Sequence, residues 1–432
     1  MKIQNVKGGY DFLPKEQRIR NYINDTLRKI FEEYGYNPIE TPLLCYYDIL
    51  SNKYDEDNDI LNEIYKLSDQ GERQLGLRYD LTVPFAKFIA LNKNKINIPF
   101  KRYEIAKAFR DGPVKVGRDR EFTQCDVDVV GIEGQMIEAE LMTLFTRAFK
   151  ELDIDIIIKY NSRNLMNGLI LECGIDEDLL SVVTTNIDKM EKISKEEFKN
   201  NLLNIGLVSQ QIDLLLEYFN LSLFELNEKF TTSENEKINL GLDELNQLTG
   251  YLKKLNIDDL CIFTPTLARG QNYYTGNVFE VYEKNGKITC SIGAGGRYDK
   301  MITNFINDGT EYPTVGISFG LSSIYELLKG KEIFDKKSNI DIYIIPMGTN
   351  VESLKLANNL RCLGYKVEIQ MQNKKLKKSL DYANKENIPY VIIFGEDELS
   401  NNKIVIKNML NNDKNIEVSL NDLEKIKQFK IN

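Results

Sequence analysis

The order of strand-like and helix-like patterns along the 432-residue chain constrains its fold more than any other feature. Short β-rich runs predominate between residues 38 and 160, whereas the stretch 164–255 is almost wholly helical in pattern and contains no proline. Strand patterns return at 276–282 and 289–292. Strand runs followed by a separate block of helices are typical of α+β domains. The sequence therefore predicts an antiparallel sheet with a helical insertion at about 164–255.

The C-terminal part of the chain has a different pattern. Polar residues fill the segment 331–338, which we interpret as a linker. Beyond it, strand and helix patterns alternate in the order Ile340–Ile345, Val351–Leu363, Lys366–Met371, Lys374–Asn387 and Tyr390–Phe394. Such alternation indicates a small α/β domain. The predicted organisation is thus a domain at 1–330, a linker at 331–338 and a second domain at 339–432.

The composition excludes several kinds of site. The chain has no histidine, so it cannot contain a histidine-based catalytic triad or a histidine-ligated metal. Its six cysteines show no Cys-x-x-Cys spacing, which argues against a metal knuckle. No run reaches the roughly 18 consecutive apolar residues of a membrane helix, and the N-terminus lacks the apolar stretch of a signal peptide. We therefore expect a cytoplasmic protein, whose net charge of −9 still permits a local basic groove.

Three segments have unusual combinations of residues. If the segment after residue 77 is a strand, Arg78, Asp80 and Thr82 share one face, although a solvated strand edge would give the same pattern. The segment 267–276 has an Arg-Gly step before paired tyrosines, which would point a cation and a phenol to opposite faces of a strand. The run 293–299 begins with four small residues, which suits either a close approach of backbone to a ligand or a bulge.

A fourth segment places arginines on both sides of a loop that contains glycine and proline. Arg110 precedes this loop, and Arg118 and Arg120 follow it, between two β-rich runs. Guanidinium groups that converge around a hairpin can hold phosphates through paired hydrogen bonds. A solvated charged hairpin would show the same spacing, so this segment alone leaves both interpretations open.

In their order along the chain, these segments resemble the motifs of class II aminoacyl-tRNA synthetases, and within that class the histidyl-tRNA synthetases of archaeal and eukaryotic type. The resemblance covers nearly the whole chain. It depends on the segments Gly8–Pro14, Gly35–Pro42, Arg102–Arg110, Gln124–Asp128 and Leu267–Tyr274, with further similar stretches at Asn164–Gly168, Ile187–Ile193, Leu380–Asn384 and Phe394–Leu399.

The resemblance implies an antiparallel catalytic sheet of six or seven strands, a helical insertion near the tRNA acceptor stem and a C-terminal anticodon-binding domain. It implies a homodimer that activates L-histidine with ATP and Mg²⁺ and then transfers the histidyl group to the 3′ end of tRNA(His). No protein side chain is assigned as a metal ligand. Attack of a carboxylate on a phosphoryl centre needs positioning and positive charge more than acid–base catalysis, so the missing histidines are no obstacle.

The resemblance also assigns roles to the arginines. Arg110 and Arg269 would be catalytic: the first would bridge the α-phosphate of ATP and the histidine carboxylate, and the second would stand where other class II enzymes place an additional metal ion. Arg110, Arg118 and Arg120 would bind ATP.

The histidine pocket implied by the resemblance would hold both ends of the amino acid. Its residues would be Asp80, Leu81, Thr82, Arg110, Gln124, Asp128, Arg269, Tyr273 and Tyr274. Among them, Asp80, Thr82 and Gln124 would take the α-amino group. Asp128 and Tyr274 would hydrogen-bond the imidazole ring.

One departure from the family pattern bears on activity. The last family motif ends in an acidic residue followed by an arginine that clamps ATP, and this chain has Ser322 and Ser323 there. We therefore expect weak ATP binding, and Ser323→Arg is expected to lower the KM for ATP.

Two alternatives to an active ligase stay open for the same reason. One is a catalytically impaired, synthetase-like paralogue that senses tRNA or histidine. The other is a regulatory subunit of ATP phosphoribosyltransferase in histidine biosynthesis. Such subunits generally lack the anticodon domain and the arginine at position 269, and this chain has both.

Overall fold

The computed structural model of the chain describes residues 2–51, 59–190, 193–269, 273–331, 334, 338–372, 374–411 and 414–429. The chain divides into two compact units, Met1–Lys329 and Gly330–Asn432. Most of the predicted linker 331–338 lies outside the described residues. Within the described ranges, no helix combines the length and the apolar character needed to cross a membrane.

The strands of the first unit form one large and one small sheet. In chain order they are β1 (Asn37–Pro38), β2 (Leu44–Tyr46), β3 (Lys66–Ser68), β4 (Gln74–Leu77), β5 (Phe100–Phe109), β6 (Glu121–Val130), β7 (Ile156–Ser162), β8 (Cys261–Phe263), β9 (Asn277–Glu283), β10 (Gly293–Arg297) and β11 (Thr314–Gly320). The large sheet has the order β1-β5-β6-β11-β10-β9-β7-β8, and the small sheet has the order β2-β4-β3. Neighbours in the large sheet are antiparallel except at its edges, where β1 pairs with β5 and β8 with β7 in parallel. The predicted antiparallel-rich sheet is confirmed, with eight strands in place of six or seven.

The helices of the first unit partly cover this sheet and partly form a block of their own. In chain order they are α1 (Pro14–Glu33), α2 (Tyr47–Ser51), α3 (Asp59–Asn62), α4 (Thr82–Asn92), α5 (Met136–Glu151), α6 (Arg163–Glu172), α7 (Leu180–Lys189), α8 (Lys195–Asn204), α9 (Ser209–Phe219), α10 (Leu223–Lys229), α11 (Glu236–Lys254), α12 (Asp299–Ile306) and α13 (Leu321–Leu328). Helices α6 to α11 follow one another between β7 and β8. Within this block α6 and α11 pack closely, because a Cβ atom on Gly241 would lie only 2.2 Å from the backbone nitrogen of Leu165.

Local sequence determines where α1 begins and ends. Pro14 occupies its first position, where an amide donor is not needed. The Glu16 carboxylate accepts a hydrogen bond from the backbone nitrogen of Leu13 at 2.8 Å. Gly35, with φ of +78°, lies just beyond its C-terminus in a conformation that favours glycine. The helix buries one apolar face, formed by Ile19, Ile23, Leu27, Ile30 and Phe31.

The prediction of a strand at 289–292 is wrong by several residues. Strand β10 begins instead at Gly293, so the run of small residues is itself a strand. It lies between β9 and β11 in the sheet. Small residues are required there because a Cβ atom on Gly295 would lie 2.2 Å from the carbonyl oxygen of Gly316. The close approach that the glycines permit is therefore to a neighbouring strand.

The second unit is built on one five-stranded sheet. Its strands and helices are β12 (Ile342–Met347), α14 (Asn350–Cys362), β13 (Val367–Ile369), α15 (Leu376–Lys385), β14 (Tyr390–Gly395), α16 (Glu396–Ser400), β15 (Lys403–Asn408) and β16 (Ile416–Ser419). The strand order is β13-β12-β14-β15-β16, with the first three parallel and the rest antiparallel. The predicted α/β character of this part is confirmed.

Candidate active site

A buried polar pocket lies on the face of the large sheet where β6, β11 and β10 run side by side. Most of the residues predicted for the histidine pocket line it, namely Asp80, Thr82, Arg110, Gln124, Asp128, Arg269, Tyr273 and Tyr274. Leu81, Arg118 and Arg120 are not among its lining residues. The structure thus brings together segments that are separated by up to about two hundred residues in sequence.

Strand β6 supplies the acidic wall of the pocket. Gln124, Asp126 and Asp128 alternate along β6 and therefore point to one face. In the neighbouring strand β5, Arg102 lies opposite Asp128, and Glu104 lies opposite Asp126. The strand register thus gives Asp128 a cation as its neighbour and gives Asp126 a second carboxylate.

Asp128 has a charged neighbour at Oδ2 and a hydrogen bond at Oδ1, while Oδ2 itself makes no hydrogen bond among the described residues. Its Oδ2 lies 2.6 Å from a terminal nitrogen of Arg102, and the Tyr298 hydroxyl donates a hydrogen bond to its Oδ1. Burial, together with the Asp128 charge, raises the pKa of Tyr298 well above its usual value, so this phenol remains a donor. Gly316 lies opposite Asp128 in β11, and a Cβ atom there would lie 1.8 Å from Oδ1. The carboxylate therefore fits only because position 316 is glycine.

Asp126 is engaged on one side only. Its side chain hydrogen-bonds Ser318, while its buried Oδ1 has no hydrogen-bond partner among the described residues. Burial raises the pKa of Asp126 to about 8, and the nearby carboxylates of Asp128 and Asp80 act in the same direction against the opposing charge of Arg102. Burial therefore favours the neutral form of this carboxyl, and it raises the pKa of Asp128 as well.

Gln124 shares the Ser318 hydroxyl with Asp126. Its Nε2 donates to Ser318 Oγ at 3.2 Å. Its Oε1 is buried without a hydrogen-bond partner among the described residues. Three side chains that line the pocket, Gln124, Asp126 and Asp128, thus each have a buried oxygen without a hydrogen bond among the described residues, and N–H donors of a ligand could satisfy them.

Arg78 forms a buried ion pair with a residue of strand β5 and does not line the pocket. The chain leaves the sheet after β4 and enters α4 at Thr82, so Arg78, Asp80 and Thr82 do not share a strand face, and that prediction is wrong. Arg78 instead contacts Glu104 at 3.0 Å and the carbonyl oxygen of Thr41 at 2.7 Å. This buried ion pair holds β5 in place beside the pocket.

The turn into α4 delivers Asp80 and Thr82 to the pocket. Asp80 Oδ1 accepts a hydrogen bond from the backbone nitrogen of Val83 at 3.2 Å, which satisfies one free donor of the first helical turn. Leu81 lies between the two polar residues and is fully buried, with an exposed fraction of 0%. The structure therefore places the Leu81 side chain in the core and its neighbours at the pocket.

Arg269 and the paired tyrosines also line the pocket. The Arg269 guanidinium lies 5.3 Å from the ring centroid of Tyr274 and 3.2 Å from the Glu280 carboxylate. Burial alone would lower the pKa of Arg269, but the neighbouring Tyr274 and Glu280 outweigh it and raise that pKa. The rings of Tyr273 and Tyr274 are 4.6 Å apart. Both line the pocket together with Arg269, so the expectation that the cation and the phenol point to opposite faces is wrong. Residues 270–272 lie outside the described residues.

Arg110 directly follows strand β5 and also lines the pocket. Its guanidinium carbon lies 4.3 Å from the ring centroid of Tyr79 and 4.8 Å from that of Phe122, and its Nε donates to the Tyr79 carbonyl oxygen at 3.3 Å. No carboxylate within the described part of the chain pairs with it. The two rings hold the side chain in place, and its charge remains available to an anionic ligand.

The loop that follows Arg110 carries the other two predicted phosphate-binding arginines. Arg120 is held within the hairpin, with one guanidinium nitrogen 3.2 Å from Asp111 and Nε donating to the Gly112 carbonyl oxygen at 3.2 Å. Arg118 is exposed, and within the described ranges its hydrogen bonds are those of its backbone to Lys115 across the loop. Arg118 is therefore the more available of the two.

The serine pair at the start of α13 packs against the same loop. Ser322 Oγ donates to Asp119 at 2.8 Å. Ser323 is 4% exposed, and a Cβ atom on Gly117 would lie 2.9 Å from its Oγ. The space that an arginine at position 323 would need is thus occupied by the loop tip.

The pocket walled by an antiparallel sheet, the arginine at the end of the hairpin strand and the separate α/β unit together define a class II aminoacyl-tRNA synthetase. The family described as histidyl-tRNA synthetase matches residues 8–324, and the anticodon-binding domain matches residues 341–428. The chain is 48% identical over 414 residues to histidine–tRNA ligase 1 of Bacillus cereus, covering 95% of this chain and 96% of that one. It is 43% identical to histidine–tRNA ligase 2 of Shouchella clausii, with 94% and 96% covered. The chain belongs to the histidyl-tRNA synthetase family.

Solved structures agree with this assignment at the level of the fold. A crystal structure of histidyl-tRNA synthetase from a Nostoc species superposes with a TM-score of 0.85 at 29% identity, covering 99% of this chain and 100% of that one. A Bacillus halodurans protein described as ATP phosphoribosyltransferase regulatory subunit/histidyl-tRNA synthetase gives 0.76 at 21% identity, covering 91% and 99%, and shows the shared fold alone.

The comparisons correct the expected type of synthetase and disfavour the two alternatives to an active ligase. The relatives named above are bacterial, so the expected archaeal or eukaryotic type is not borne out. The regulatory-subunit and sensor alternatives are not favoured, since the named ligases align with nearly the whole chain, including its anticodon-binding part.

Sequence reasoning missed several residues that line the pocket, among them Asp126, Tyr298, Gly316 and Ser318. Asp126 had a visible signal, because it lies midway between two predicted site residues on an alternating strand. Gly316 and Ser318 could be found only from the pairing of β11 with β6.

Proposed function

We propose that this chain is a histidine–tRNA ligase. It activates L-histidine with ATP to histidyl-adenylate and pyrophosphate, and it then transfers the histidyl group to the 3′ end of tRNA(His). The single observation that carries the proposal is the pocket itself. Buried acceptors on β6 line it together with Arg110, which has no carboxylate partner among the described residues.

Activation joins a carboxylate to a phosphoryl centre. A carboxylate oxygen of histidine attacks the α-phosphorus of ATP, an anhydride bond forms, and the bond to the leaving pyrophosphate breaks. Both reacting groups are anionic, so a fixed positive charge between them lowers the barrier. Arg110 supplies that charge, because the rings of Tyr79 and Phe122 hold it in place without neutralising it.

Arg269 provides the second positive charge. It lines the same pocket as Arg110 and stays protonated beside Tyr274 and Glu280. Two guanidiniums that flank one pentacoordinate phosphate stabilise its developing charge and orient the attacking carboxylate. Arg118, exposed on the loop, contacts the distal phosphates of ATP.

The α-amino group of histidine is held by polar side chains near the start of α4. Asp80, Thr82 and Gln124 line this part of the pocket. An ammonium group has three N–H donors, and Gln124 Oε1 is a buried acceptor that receives no hydrogen bond from the part of the chain that the structure describes. Tyr274 contacts the imidazole ring.

The nucleotide substrate is the magnesium complex of ATP. Among the described residues no group of three or more acidic or cysteine side chains could hold a metal ion. Mg²⁺ usually keeps several waters and takes most of its remaining ligands from the phosphates, so the ion enters with ATP. We further propose that the enzyme acts in the cytoplasm as a homodimer, with tRNA bound through the second unit.

Two assays on the purified full-length chain test the proposal. Histidine-dependent exchange of pyrophosphate into ATP measures activation, and attachment of labelled histidine to tRNA(His) measures transfer. We expect both, with Arg110→Ala as the inactive control. Exchange without charging would indicate a histidine-activating paralogue, and the absence of both at millimolar histidine and ATP would exclude the ligase.

A further inference from the structure

The segment 267–276, which carries three of the residues that line the pocket, is held at both ends by the residues that lead from β7 into α6. At its first end, the Asn161 side-chain amide donates a hydrogen bond to the carbonyl oxygen of Leu267 at 3.1 Å. At its second end, the backbone nitrogen of Arg163 donates to the carbonyl oxygen of Gly276 at 2.9 Å. The start of the helical block therefore fixes the backbone on both sides of the pocket residues.

Asn164, the second residue of α6, adds a side-chain contact at the second end. Its Nδ2 donates to the carbonyl oxygen of Thr275 at 3.2 Å and to Glu244 Oε1 at 3.0 Å. A backbone carbonyl can only accept, so the amide nitrogen of Asn164 and not its oxygen faces Thr275. Thr275 directly follows Tyr274, which lines the pocket. One side chain thus joins the pocket segment to helix α11.

Glu244 of α11 holds Asn164 in this orientation. Its Oε2 accepts a hydrogen bond from the Ser162 hydroxyl at 2.7 Å, and the same hydroxyl caps α6 by accepting from the backbone nitrogen of Asn164 at 3.1 Å. Glu244 is 8% exposed and Ser162 is fully buried. A buried carboxyl group with a partner on each oxygen has little freedom to turn, so it presents one acceptor to Asn164 in a fixed place.

We propose that Asn164 is a positioning residue for the histidine pocket and that Glu244 acts on the pocket through it, from the helical block α6–α11. The proposal rests on the proposed function, since it names residues that prepare the same pocket for histidine. Neither residue lines the pocket, so neither needs to touch the substrate. A segment that is fixed before histidine arrives does not have to be ordered on binding, and affinity is higher for that reason.

The affinities of the full-length protein for histidine and for magnesium-ATP, both measured by titration calorimetry, test the proposal. We expect Asn164→Ala to weaken histidine binding about 3- to 10-fold, the range for one lost hydrogen bond. The affinity for ATP should stay within twofold, because the arginines that we assign to ATP, Arg110 and Arg118, lie outside the segment 267–276. A general loss of structure would weaken both affinities.

Asn235→Ala is the matched control, because Asn235 joins the same two helices at another place. Its amide nitrogen donates to the carbonyl oxygen of Gly168 in α6 at 3.2 Å, and its oxygen caps α11. We expect this variant to lower the free energy of unfolding and to leave histidine affinity within twofold. Equal losses of histidine affinity in the Asn164 and Asn235 variants would assign the effect to helix packing and overturn the proposal.

Two substitutions of Glu244 test whether it acts through Asn164. Glu244→Gln keeps an acceptor for Asn164 and a polar atom beside Ser162, so histidine affinity should stay within twofold. Burial raises the pKa of Glu244 to about 7, and its neutral form keeps that acceptor as well. Glu244→Ala should weaken histidine binding about 3- to 10-fold in the wild-type background but less than twofold in Asn164→Ala. Fully additive losses would overturn the action through Asn164.

The remaining outcomes separate this proposal from the proposed function. An Asn164→Ala variant that folds and binds histidine within twofold of wild type overturns the positioning role. Should that variant fail to fold, Asn164→Ser keeps a small polar residue in the helix and takes its place. A wild-type chain that binds histidine but does not exchange pyrophosphate defeats the ligase, and the binding data still decide the role of Asn164. A wild-type chain that does not bind histidine overturns both.

Discussion

The two ends of the proposed active site are built in different ways. At the imidazole end, Arg102, Asp126 and Asp128 lie on adjacent strands with exposed fractions of at most 4%, and strand register pairs their charges. At the phosphate end, Arg110 and Arg118 lie at the end of β5 and in the exposed loop beyond it, without carboxylate partners among the described residues. Charges on the sheet therefore stabilise one another, whereas those of the loop are available to a ligand. We expect changes at the first end to affect stability and at the second to affect rate.

Arg102→Met should produce the largest effect. The substitution removes the cation that lies 2.6 Å from the buried carboxylate of Asp128 and 3.8 Å from that of Glu104. Removing one member of a buried ion pair costs about 3–5 kcal/mol of unfolding free energy. Denaturant unfolding of the full-length protein measures it. A variant as stable as wild type would show that these carboxyl groups are already protonated. The ion pairs between neighbouring strands would then contribute little to the free energy of unfolding.

Arg110→Met is the matched change at the phosphate end. Arg110 contacts two rings and a carbonyl oxygen, so its loss should change the unfolding free energy by less than about 1 kcal/mol. The rate of histidine activation should fall roughly 10²- to 10³-fold, as for loss of one transition-state charge donor. Single-turnover adenylation measures the rate. Comparable instability in the Arg102 and Arg110 variants would remove the distinction between the two ends.

The pH dependence of stability should come from the imidazole end. The pKa of Asp126 is raised to about 8 when folded, against about 3.8 for the unfolded side chain. A raised pKa means that the stabilising contribution is complete below about pH 4 and is lost as pH rises through about 8. The groups around Asp126 are Arg102 and Glu104 on β5, Asp128 beside it, Ser318 on β11 and Asp80 before α4.

In Asp126→Asn, the free energy of unfolding should therefore vary less with pH between about pH 5 and 8. At pH 8 the variant should be more stable than wild type by on the order of 1–2 kcal/mol. Urea unfolding across this range measures the effect, with Arg118→Ala as a control that should keep the wild-type slope. An unaltered slope in Asp126→Asn would assign the titration to another group.

The same contrast explains what could be predicted from the sequence. Alternating strands, the helical block and the domain with alternating strands and helices follow from local periodicity and were found correctly. Most of the predicted pocket residues also lie together, because the order of motifs constrained them. Asp126 was not predicted as a pocket residue, because its surroundings depend on the strand register, which places Glu104 of β5 opposite it.

Two errors have the same physical origin. Arg78, Asp80 and Thr82 alternate as in a strand, but the chain turns after Leu77 because Arg78 is drawn to Glu104 and Asp80 caps a helix. Periodicity over six residues cannot distinguish these outcomes, since tertiary ion pairs override a short local pattern.

The smallest expected effect concerns Ser323→Arg, and the structure reverses the direction expected from the sequence. Ser323 is buried, and Gly117 at the loop tip packs so closely that a Cβ atom there would lie 2.9 Å from Ser323 Oγ. An arginine must displace this loop and with it Arg118, the exposed cation that we assign to ATP. Overpacking costs about 1–3 kcal/mol where the surroundings are rigid, and an exposed loop yields more easily. We therefore expect the KM for ATP to rise about 3- to 10-fold, with the KM for histidine within twofold and Ser323→Ala close to wild type. A lower KM for ATP would mean that the loop adapts without cost and that the serine leaves the phosphate end short of a charge.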